Sequence, residues 1–242
     1  MSDESNSNKR PITPNINDSM LTRETWKIFQ VMAELVEGFE RLVHIRPSVS
    51  IFGSARIPDT HPYYKEAQEV AEKLSNAGYS VVTGGGPGIM EAGNRGAFKG
   101  KSFSVGLNIV LHHQEVTNKF QDISLRFRHF FTRKVMFVKY ACAYLVMPGG
   151  FGTLDELAEI LALIQTKKTK KIPVILVNET FWRPLIDWFQ NTLVIEQLID
   201  PEDMKLFTIA NTSDEVLAQL NEFYKHHSPY PNEQEQDIMS KL

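Results

Sequence analysis

Short apolar runs alternate with longer amphipathic segments along most of the chain. Runs rich in Val, Ile, Leu and Tyr are typical of buried strands, whereas apolar positions recurring every three or four residues indicate helices. Strands are expected at residues 49–52, 79–83, 102–107, 143–147, 172–177 and 207–209. Helices are expected at residues 63–77, 89–98, 130–140, 181–193 and 213–224, with one more ending near residue 165. The alternation predicts an α/β fold, a doubly wound parallel sheet with helices on both faces, in which residues 108–125 are irregular.

One further amphipathic helix is predicted before the first strand, over residues 21–43. Its apolar positions recur at helical spacing, and they are Phe29, Met32, Val36, Phe39 and Val43. This helix is expected to pack either on the outside of the domain or on a second subunit.

The same pattern divides the chain into four segments. A polar tail at residues 1–19, rich in Ser, Asn, Asp and Pro, is expected to be disordered. The N-terminal helix segment follows at residues 20–46, and the α/β domain is expected at residues 47–225. A loose polar tail is expected at residues 226–242.

Composition narrows the class of protein. The chain has 242 residues, of which 42% are hydrophobic. Its formal net charge of -3 gives no reason to expect that it binds nucleic acid. The single cysteine, Cys142, excludes a disulfide framework and lies among apolar residues, which favours a buried, inert thiol. The N-terminus has no signal-peptide pattern and no apolar run is long enough to span a membrane, so a soluble cytoplasmic protein is expected. The basic run at residues 167–171 is interpreted as solvated surface.

The most informative stretch is a Gly-rich turn between an apolar strand and a helix. It reads Pro-Gly-Gly-Phe-Gly-Thr-Leu-Asp-Glu at residues 148–156. Glycines let the backbone approach a ligand closely, and the unpaired N–H groups that open a helix attract anions, phosphate above all. Thr153 is expected to cap the helix or to bond a phosphate oxygen, and Asp155 and Glu156 are expected in its first turn.

Two more small-residue turns follow predicted strands. One contains Gly53 and Ser54, and the other runs from residue 84 to residue 88 and contains Gly85 and Gly86. A doubly wound sheet brings such turns to one edge, so the three together predict a ligand site. Neither GxGxxG nor GxxxxGK[ST] fits the sequence, which argues against a standard dehydrogenase or a nucleoside triphosphatase. A single phosphate group on a small molecule is the expected ligand.

Two charged clusters lie nearby in the sequence. Arg133 and Lys134 fall early in the helix at residues 130–140, where they would either neutralise a phosphate or form a solvated basic turn. Glu115 lies in the irregular segment beside His112 and His113. No third ligand follows the two histidines at a diagnostic spacing, so no metal site is expected.

These motifs, in this order, resemble the LOG family of cytokinin riboside 5'-monophosphate phosphoribohydrolases, whose members are often labelled lysine decarboxylase-like. The resemblance covers roughly residues 47–225, and the N-terminal helix is similar to that of the longer, largely bacterial branch. It implies a Rossmann-like fold and hydrolysis of the N-glycosidic bond of a nucleoside 5'-monophosphate, AMP or an N6-substituted AMP, to free base and ribose 5-phosphate. It also implies a homodimer or a larger homo-oligomer.

The resemblance also implies roles for particular residues. By position, Arg133 and Glu156 match the catalytic pair. The matched substrate-binding positions, together with the glycines and serine of the three turns, are Gly53, Ser54, Gly85, Gly86, Glu115, Lys134, Gly149, Gly150, Gly152, Thr153 and Asp155. Phe137 stands where the family often has Met, which leaves the preferred base open. No cofactor is expected. A decarboxylase would need a lysine that binds pyridoxal phosphate. Lys134 is the only lysine matched to the site, and it is expected to contact phosphate or substrate instead.

The chemistry suggests a mechanism and leaves alternatives. Glu156 would stabilise positive charge on the ribose and orient or activate water, while Arg133 would orient Glu156 and the phosphate or steady the leaving base. Glu115 and Glu91 are both candidates for protonating that base. A non-catalytic nucleotide sensor or carrier on the same fold stays an alternative, as does an enzyme acting on a nucleotide sugar or another phosphorylated metabolite.

Overall fold

The computed structural model describes residues 18–111 and 117–230, and these form one α/β unit. Seven strands make a single sheet, in the order β4-β3-β2-β1-β5-β6-β7, and every neighbouring pair is parallel. The strands are β1 (Ser48–Phe52), β2 (Ser80–Thr83), β3 (Ser104–Ile109), β4 (Ile123–Phe127), β5 (Ala141–Val146), β6 (Val174–Val177) and β7 (Thr208–Ala210). The predicted Rossmann-like fold class is thereby confirmed.

The helices cover both faces of this sheet. They are α1 (Asp18–Leu42), α2 (Pro62–Asn76), α3 (Ile89–Lys99), α4 (Phe130–Tyr140), α5 (Phe151–Gln165), α6 (Glu179–Trp188) and α7 (Ser213–Tyr224). A π-helical turn at Phe189–Val194 and a 3₁₀ turn at Pro201–Lys205 follow α6. The N-terminal tail predicted for residues 1–19 falls outside the described residues as far as residue 17, and the C-terminal tail does so from residue 231.

The core lies in two layers because the central strands are apolar on both sides. On one side of the sheet, α1, α4, α5 and α6 bury residues such as Leu42, Phe137 and Trp182. On the other side, α2, α3 and α7 bury residues such as Leu74 and Val216. The two layers hold the strands rigidly, so the loops that leave them are positioned precisely.

The prediction that residues 108–125 are irregular was wrong at both ends. Strand β3 continues to Ile109, and a seventh strand, β4, begins at Ile123 and pairs with β3 at the edge of the sheet. Leu125 and Phe127 of β4 are buried, whereas Ser124 and Arg126 are exposed. An edge strand with one polar face carries a weaker apolar signal than a central strand.

The order of the strands reverses between β1 and β5. Phe52, at the end of β1, pairs with Val146, at the end of β5, and the chain leaves these two strands in opposite directions across the sheet. Such a switch point opens a crevice at the carboxyl ends of the strands, where open α/β sheets bind their ligands.

Candidate active site

A cleft of about 760 Å³ lies at this switch point. It is bounded by the loops and strand ends after β1, β2, β3 and β5 and by the start of α4. Its lining residues are Phe52, Gly53, Ser54, Ala55, Arg56, Gly84, Met90, Ile109, Leu111, Phe130, Arg133, Phe137, Gly150, Phe151, Gly152, Thr153, Leu154 and Glu156. The structure therefore brings seven of the predicted site residues together in one cleft.

The loops after β1, β2 and β5 are bonded directly to one another. The Ser54 N–H donates to the carbonyl of Pro148 over 3.1 Å, and the Ile89 N–H donates to the carbonyl of Ser54 over 3.0 Å. Gly88 has a φ of +68°, and a Cβ there would lie 2.4 Å from the Ser54 oxygen. Only glycine fits this position, which makes the three loops one rigid unit.

The first turn of α5 presents open backbone to the cleft. Gly150 is the N-cap, so Thr153 does not occupy the capping position, and a Cβ on Gly150 or Gly152 would have no atom within 4 Å. The first N–H groups of a helix lack partners within it and carry its positive dipole end, so this turn is suited to an anion. Because α5 begins at Phe151, Asp155 and Glu156 lie in its second turn rather than its first.

Gly149 and Thr153 pack against each other and thereby fix the shape of this turn. Thr153 is buried, and a Cβ on Gly149 would lie 2.0 Å from its Oγ1 atom. Gly149 itself does not line the cleft, so its place in the structure is explained by the packing of Thr153.

Glu156 places a buried carboxyl group on the wall of the cleft. The residue is 4% exposed, and its Oε2 atom has no hydrogen-bond partner among the described residues. Burial raises its pKa to about 7, although the charges of Lys134 and Arg133 act in the opposite direction. A carboxyl group with this pKa changes its protonation state near neutral pH, which suits acid–base or charge-stabilising chemistry.

Lys134 sits among carboxylates rather than in the cleft. Its Nζ atom lies 2.9 Å from Asp155, 3.0 Å from Glu159 and 4.0 Å from Oε1 of Glu156. Burial would lower its pKa, but the bonds to Asp155 and Glu159 raise it above its ordinary value. Lys134 thus stays charged and places its positive charge near Glu156. Asp155, which is 60% exposed, also lies outside the cleft lining.

Arg133 reaches the cleft from the first turn of α4. Its guanidinium carbon lies 5.2 Å from the centre of the Phe130 ring and 5.7 Å from that of Phe137, and its buried Nε atom has no hydrogen-bond partner in the described chain. A Cβ on Gly84 would lie 3.7 Å from its Nη1 atom, so the side chain spans from α4 to the loop after β2. Burial lowers its pKa while the charge of Glu156 raises it, and a guanidinium keeps its charge at neutral pH.

Gly85 and Gly86 lie beside the cleft, not in its lining. The carbonyl of Gly85 accepts from the side chains of Asn118 and Gln121, and that of Gly86 accepts from Asn118. With a φ of +72°, Gly85 also packs against Asn108 so closely that a Cβ would lie 2.1 Å from its side-chain oxygen. These contacts give the two glycines a structural role, and their role in binding substrate stays a prediction.

Glu91 and Glu115 were the two candidates for protonating the leaving base, and only Glu91 lies among the described residues. Glu91 accepts a hydrogen bond from Tyr64 over 3.0 Å, on the α2 side of α3, and does not line the cleft. Glu115, His112 and His113 lie outside the described residues. Across the part of the chain that is described, no three His, Cys, Asp or Glu side chains are placed to hold a metal ion.

The apolar walls of the cleft went unrecognised in the sequence. They comprise Phe52, Met90, Ile109, Leu111, Phe130 and Leu154, with Phe151 at the rim. Phe151 is 91% exposed although it is a large apolar side chain. The only signal was position, since most of these residues directly flank the predicted turns. Such walls suit a flat, apolar group such as a base.

Several known proteins are similar to this chain over most of its length. A family model described as "Possible lysine decarboxylase" matches residues 90–220. A rice (Oryza sativa subsp. japonica) protein named "Probable cytokinin riboside 5'-monophosphate phosphoribohydrolase LOGL6" is 25% identical over 86% of this chain and 80% of its own length. Another rice protein, "Cytokinin riboside 5'-monophosphate phosphoribohydrolase LOG", is 29% identical over 66% of this chain and 67% of its own length.

Solved structures share the architecture. A molybdenum cofactor binding protein from the phototrophic bacterium Rippkaea orientalis superposes with a TM-score of 0.52 at 21% identity, covering 73% of this chain and 94% of that one. At this identity the likeness concerns the fold alone. Among the described residues, no helix is both long and apolar enough to cross a membrane.

Proposed function

Because the chain belongs to the LOG family, whose model matches more than half of it, we propose that it hydrolyses the N-glycosidic bond of a nucleoside 5'-monophosphate. The products would be free base and ribose 5-phosphate. The substrate would be AMP or an N6-substituted AMP, as in the names of the rice relatives. The observation that carries the proposal is the buried Glu156 carboxyl group, without a hydrogen-bond partner among the described residues, in the same cleft as an open helix N-terminus.

The 5'-phosphate would bind at the first turn of α5. The backbone of Gly150 and Gly152 is open to close approach there, and the helix dipole favours negative charge. The base would then lie against the apolar walls that include Met90 and Phe130. This places the ribose between the phosphate turn and those walls, close to Glu156.

Glu156 would act as its carboxylate. When the bond between C1' and the base nitrogen breaks, the sugar gains positive charge, as in glycoside hydrolysis. A carboxylate beside it stabilises that charge and orients the attacking water, whose oxygen bonds to C1'. One proton from the water ends on the base nitrogen, so the atoms balance without any cofactor.

Arg133 would stabilise negative charge in the same cleft. Its guanidinium has no ion pair within 4.0 Å among the described residues, unlike Lys134, so it is available to a phosphate oxygen or to the departing base. Arginine is too weak an acid to donate the proton itself. Its charge also lowers the pKa of Glu156, which favours the carboxylate.

The cleft does not fit a decarboxylase that uses pyridoxal phosphate. Such an enzyme forms a Schiff base with a lysine, and the lysine amine must be neutral to attack. No lysine is among the described residues that line the cleft, and the nearest, Lys134, is held charged by Asp155 and Glu159. The family description therefore suggests a chemistry that these residues do not support.

The direct test is to incubate the purified protein with AMP, GMP, CMP, UMP and N6-isopentenyl AMP and to separate the products by chromatography. We expect free base and ribose 5-phosphate from at least one of them. In Glu156→Gln, turnover should fall by about a hundredfold or more while AMP still binds, in line with the loss of an acid–base group. Asp187→Asn, which alters an exposed acid on α6, is the matched control.

Three outcomes would change the proposal. If no nucleotide releases base although AMP binds tightly, the protein is a nucleotide sensor or carrier. If Glu156→Gln turns over like the unmodified protein, Glu156 has no part in the reaction. Release of other products would point to an enzyme acting on a different phosphorylated metabolite.

A further inference from the structure

A carboxylate from the N-terminal helix bonds residues around the start of the helix that carries Arg133. Glu34 of α1 accepts a hydrogen bond from the backbone N–H of Arg128 over 2.8 Å and another from the Thr132 hydroxyl over 2.6 Å. Its Oε2 atom also lies 3.2 Å from Nδ1 of His129. One side chain therefore bonds three positions around the start of α4, which begins at Phe130.

Glu34 supplies what α4 lacks in its own sequence. The N-cap of α4 is His129, whose side chain makes no capping hydrogen bond, and the first turn contains no acidic residue. The Glu34 side chain is only 10% exposed. Burial alone would raise its pKa, but the bonds from Thr132, Arg128 and His129 outweigh burial and lower it. The carboxylate thus stays charged at the positive end of the α4 dipole.

The rest of α1 follows α4 along its length. Gly38 packs so closely on Met136 that a Cβ would lie 2.6 Å from its Cε atom, and the carbonyl of Phe39 accepts from the Tyr140 hydroxyl over 3.1 Å. The outer side of α4 is therefore held by α1, while Arg133 and Phe137 line the cleft.

Arg133 depends on this support because no ion pair within 4.0 Å among the described residues fixes it, although the charge of Glu156 acts on it. Its buried Nε atom has no hydrogen-bond partner among the described residues, and its guanidinium lies over the faces of Phe130 and Phe137. Ring faces do not impose one orientation on a guanidinium as a carboxylate would. The position of its charge thus follows the backbone of the first turn of α4, to which Glu34 is bonded through Thr132.

We propose that Glu34 is a positioning residue of the site, which fixes the first turn of α4 and thereby the place of Arg133 in the cleft. The N-terminal helix is then part of the catalytic apparatus, although none of its residues lines the cleft. This inference rests on the proposed function only in assigning Arg133 a role toward a nucleotide. The contacts of Glu34 with Arg128 and Thr132 are independent of the reaction.

The test is a double-mutant cycle between Glu34→Gln and Arg133→Ala, read by AMP affinity in calorimetry and by kcat and KM for base release. Glu34→Gln removes the charge and one acceptor, and we expect kcat/KM and AMP affinity to fall by about tenfold or more, since small displacements of a catalytic group cost this much. In the Arg133→Ala background, Glu34→Gln should have almost no further effect on AMP affinity. Glu37→Gln, an exposed acid one turn along α1, is the matched control.

Equal losses of affinity in both backgrounds would overturn the proposal, because they would show that Glu34 acts through general stability. Thr132→Val, which removes one donor to Glu34 and keeps the shape of the side chain, replaces Glu34→Gln if that variant fails to fold. If the unmodified protein binds AMP but releases no base, the proposed function fails and the cycle is still decided by affinity. If Glu34→Gln leaves both AMP affinity and kcat/KM unchanged, Glu34 does not position Arg133.

Discussion

At the level of single residues, the site depends on the balance of charges around Glu156. Burial raises its pKa to about 7, and the two cations of α4 oppose the rise. The folded state consequently binds this proton more tightly than the unfolded chain, so the stability contributed by Glu156 is complete at acid pH and is lost as the pH rises through about 7. The ionised form proposed to act in the reaction is thus the form that weakens the fold.

We expect kcat/KM for base release to rise with pH and to level off above about 7, where Glu156 is ionised. Lys134→Met removes a cation 4.0 Å from this carboxylate, so the inflection should move to higher pH. At pH 6 the variant should lose about tenfold in kcat/KM, a usual result of removing an opposite charge from beside a carboxyl group. The measurement is the pH profile of kcat/KM for both proteins.

Lys99→Met is the control for this change, since Lys99 is exposed and its ion pair with Glu72 is long, at 4.0 Å. An unmoved inflection with a raised KM would contradict the expectation. It would instead support the role that the family resemblance implies for Lys134, direct contact with substrate.

Single residues also show how far the sequence could predict the site. The glycines of α5 were predicted from turn chemistry, which is a local property, whereas Arg133 and the catalytic role of Glu156 were predicted from the family resemblance. All of them line the cleft. The partners of Lys134 on α5, Asp155 and Glu159, were not, because an ion pair between two helices has no sequence pattern. The contact between Glu34 and α4 spans almost a hundred positions and left no signal for the same reason.

At the level of elements, the turns around the cleft separate glycines needed for the fold from glycines needed for the ligand. Gly88 lies at positive φ against the Ser54 carbonyl, and Gly152 has open space beside it. The first requirement is backbone geometry within the protein. At Gly152, no contact inside the protein requires a glycine. This is expected where a ligand approaches the backbone closely.

We therefore expect opposite results from two substitutions. Gly88→Ala should lower the free energy of unfolding by about 1–3 kcal/mol, because it adds a clash to a strained conformation. Gly152→Ala should leave that free energy unchanged within about 0.5 kcal/mol. It should weaken AMP binding by about tenfold or more, equivalent to one hydrogen bond to a charged group. Urea unfolding and calorimetry measure the two effects, and undiminished AMP binding by Gly152→Ala would place the phosphate elsewhere.

Elements also differ in how well the sequence predicted them. The bounds predicted for α4 and α7 agree with the structure. The acidic first turn of α7, with Asp214 and Glu215, is a start signal that is local in the sequence. Strand β4 was missed, since its outward residues are polar and it pairs on one side only. Its burial comes from contacts with β3, α4 and the distant α1, which leave no pattern within the strand itself.

At the level of the whole molecule, the N-terminal helix has two different faces. One face packs on α4 and β4, and the other exposes Phe29, Met32 and Val36, each more than half exposed. A row of large apolar side chains at this spacing is typical of a helix that packs on a partner. We propose that this partner is the same face of a second copy, which would form the homodimer that the family resemblance implies.

We expect light scattering on the purified protein to give at least twice the chain mass. Replacing Met32 and Val36 together by Lys should shift the mass to that of a monomer, because two charges would be buried in the contact. Gln30→Lys adds one such charge at an exposed position of α1 outside the apolar row and should leave the assembly intact. A monomeric mass for the unmodified protein would refute a dimer through this face.

The cleft at the switch point is shared between two parts of the chain. Strands β1 to β3 and their loops provide one side, and α4 and α5 provide the other. A nucleotide held by both sides would therefore work as a noncovalent crosslink, which exists only while the two parts stay together. Local opening between β1 and β5 would then require the ligand to dissociate first, and substrate concentration would regulate how often the domain opens.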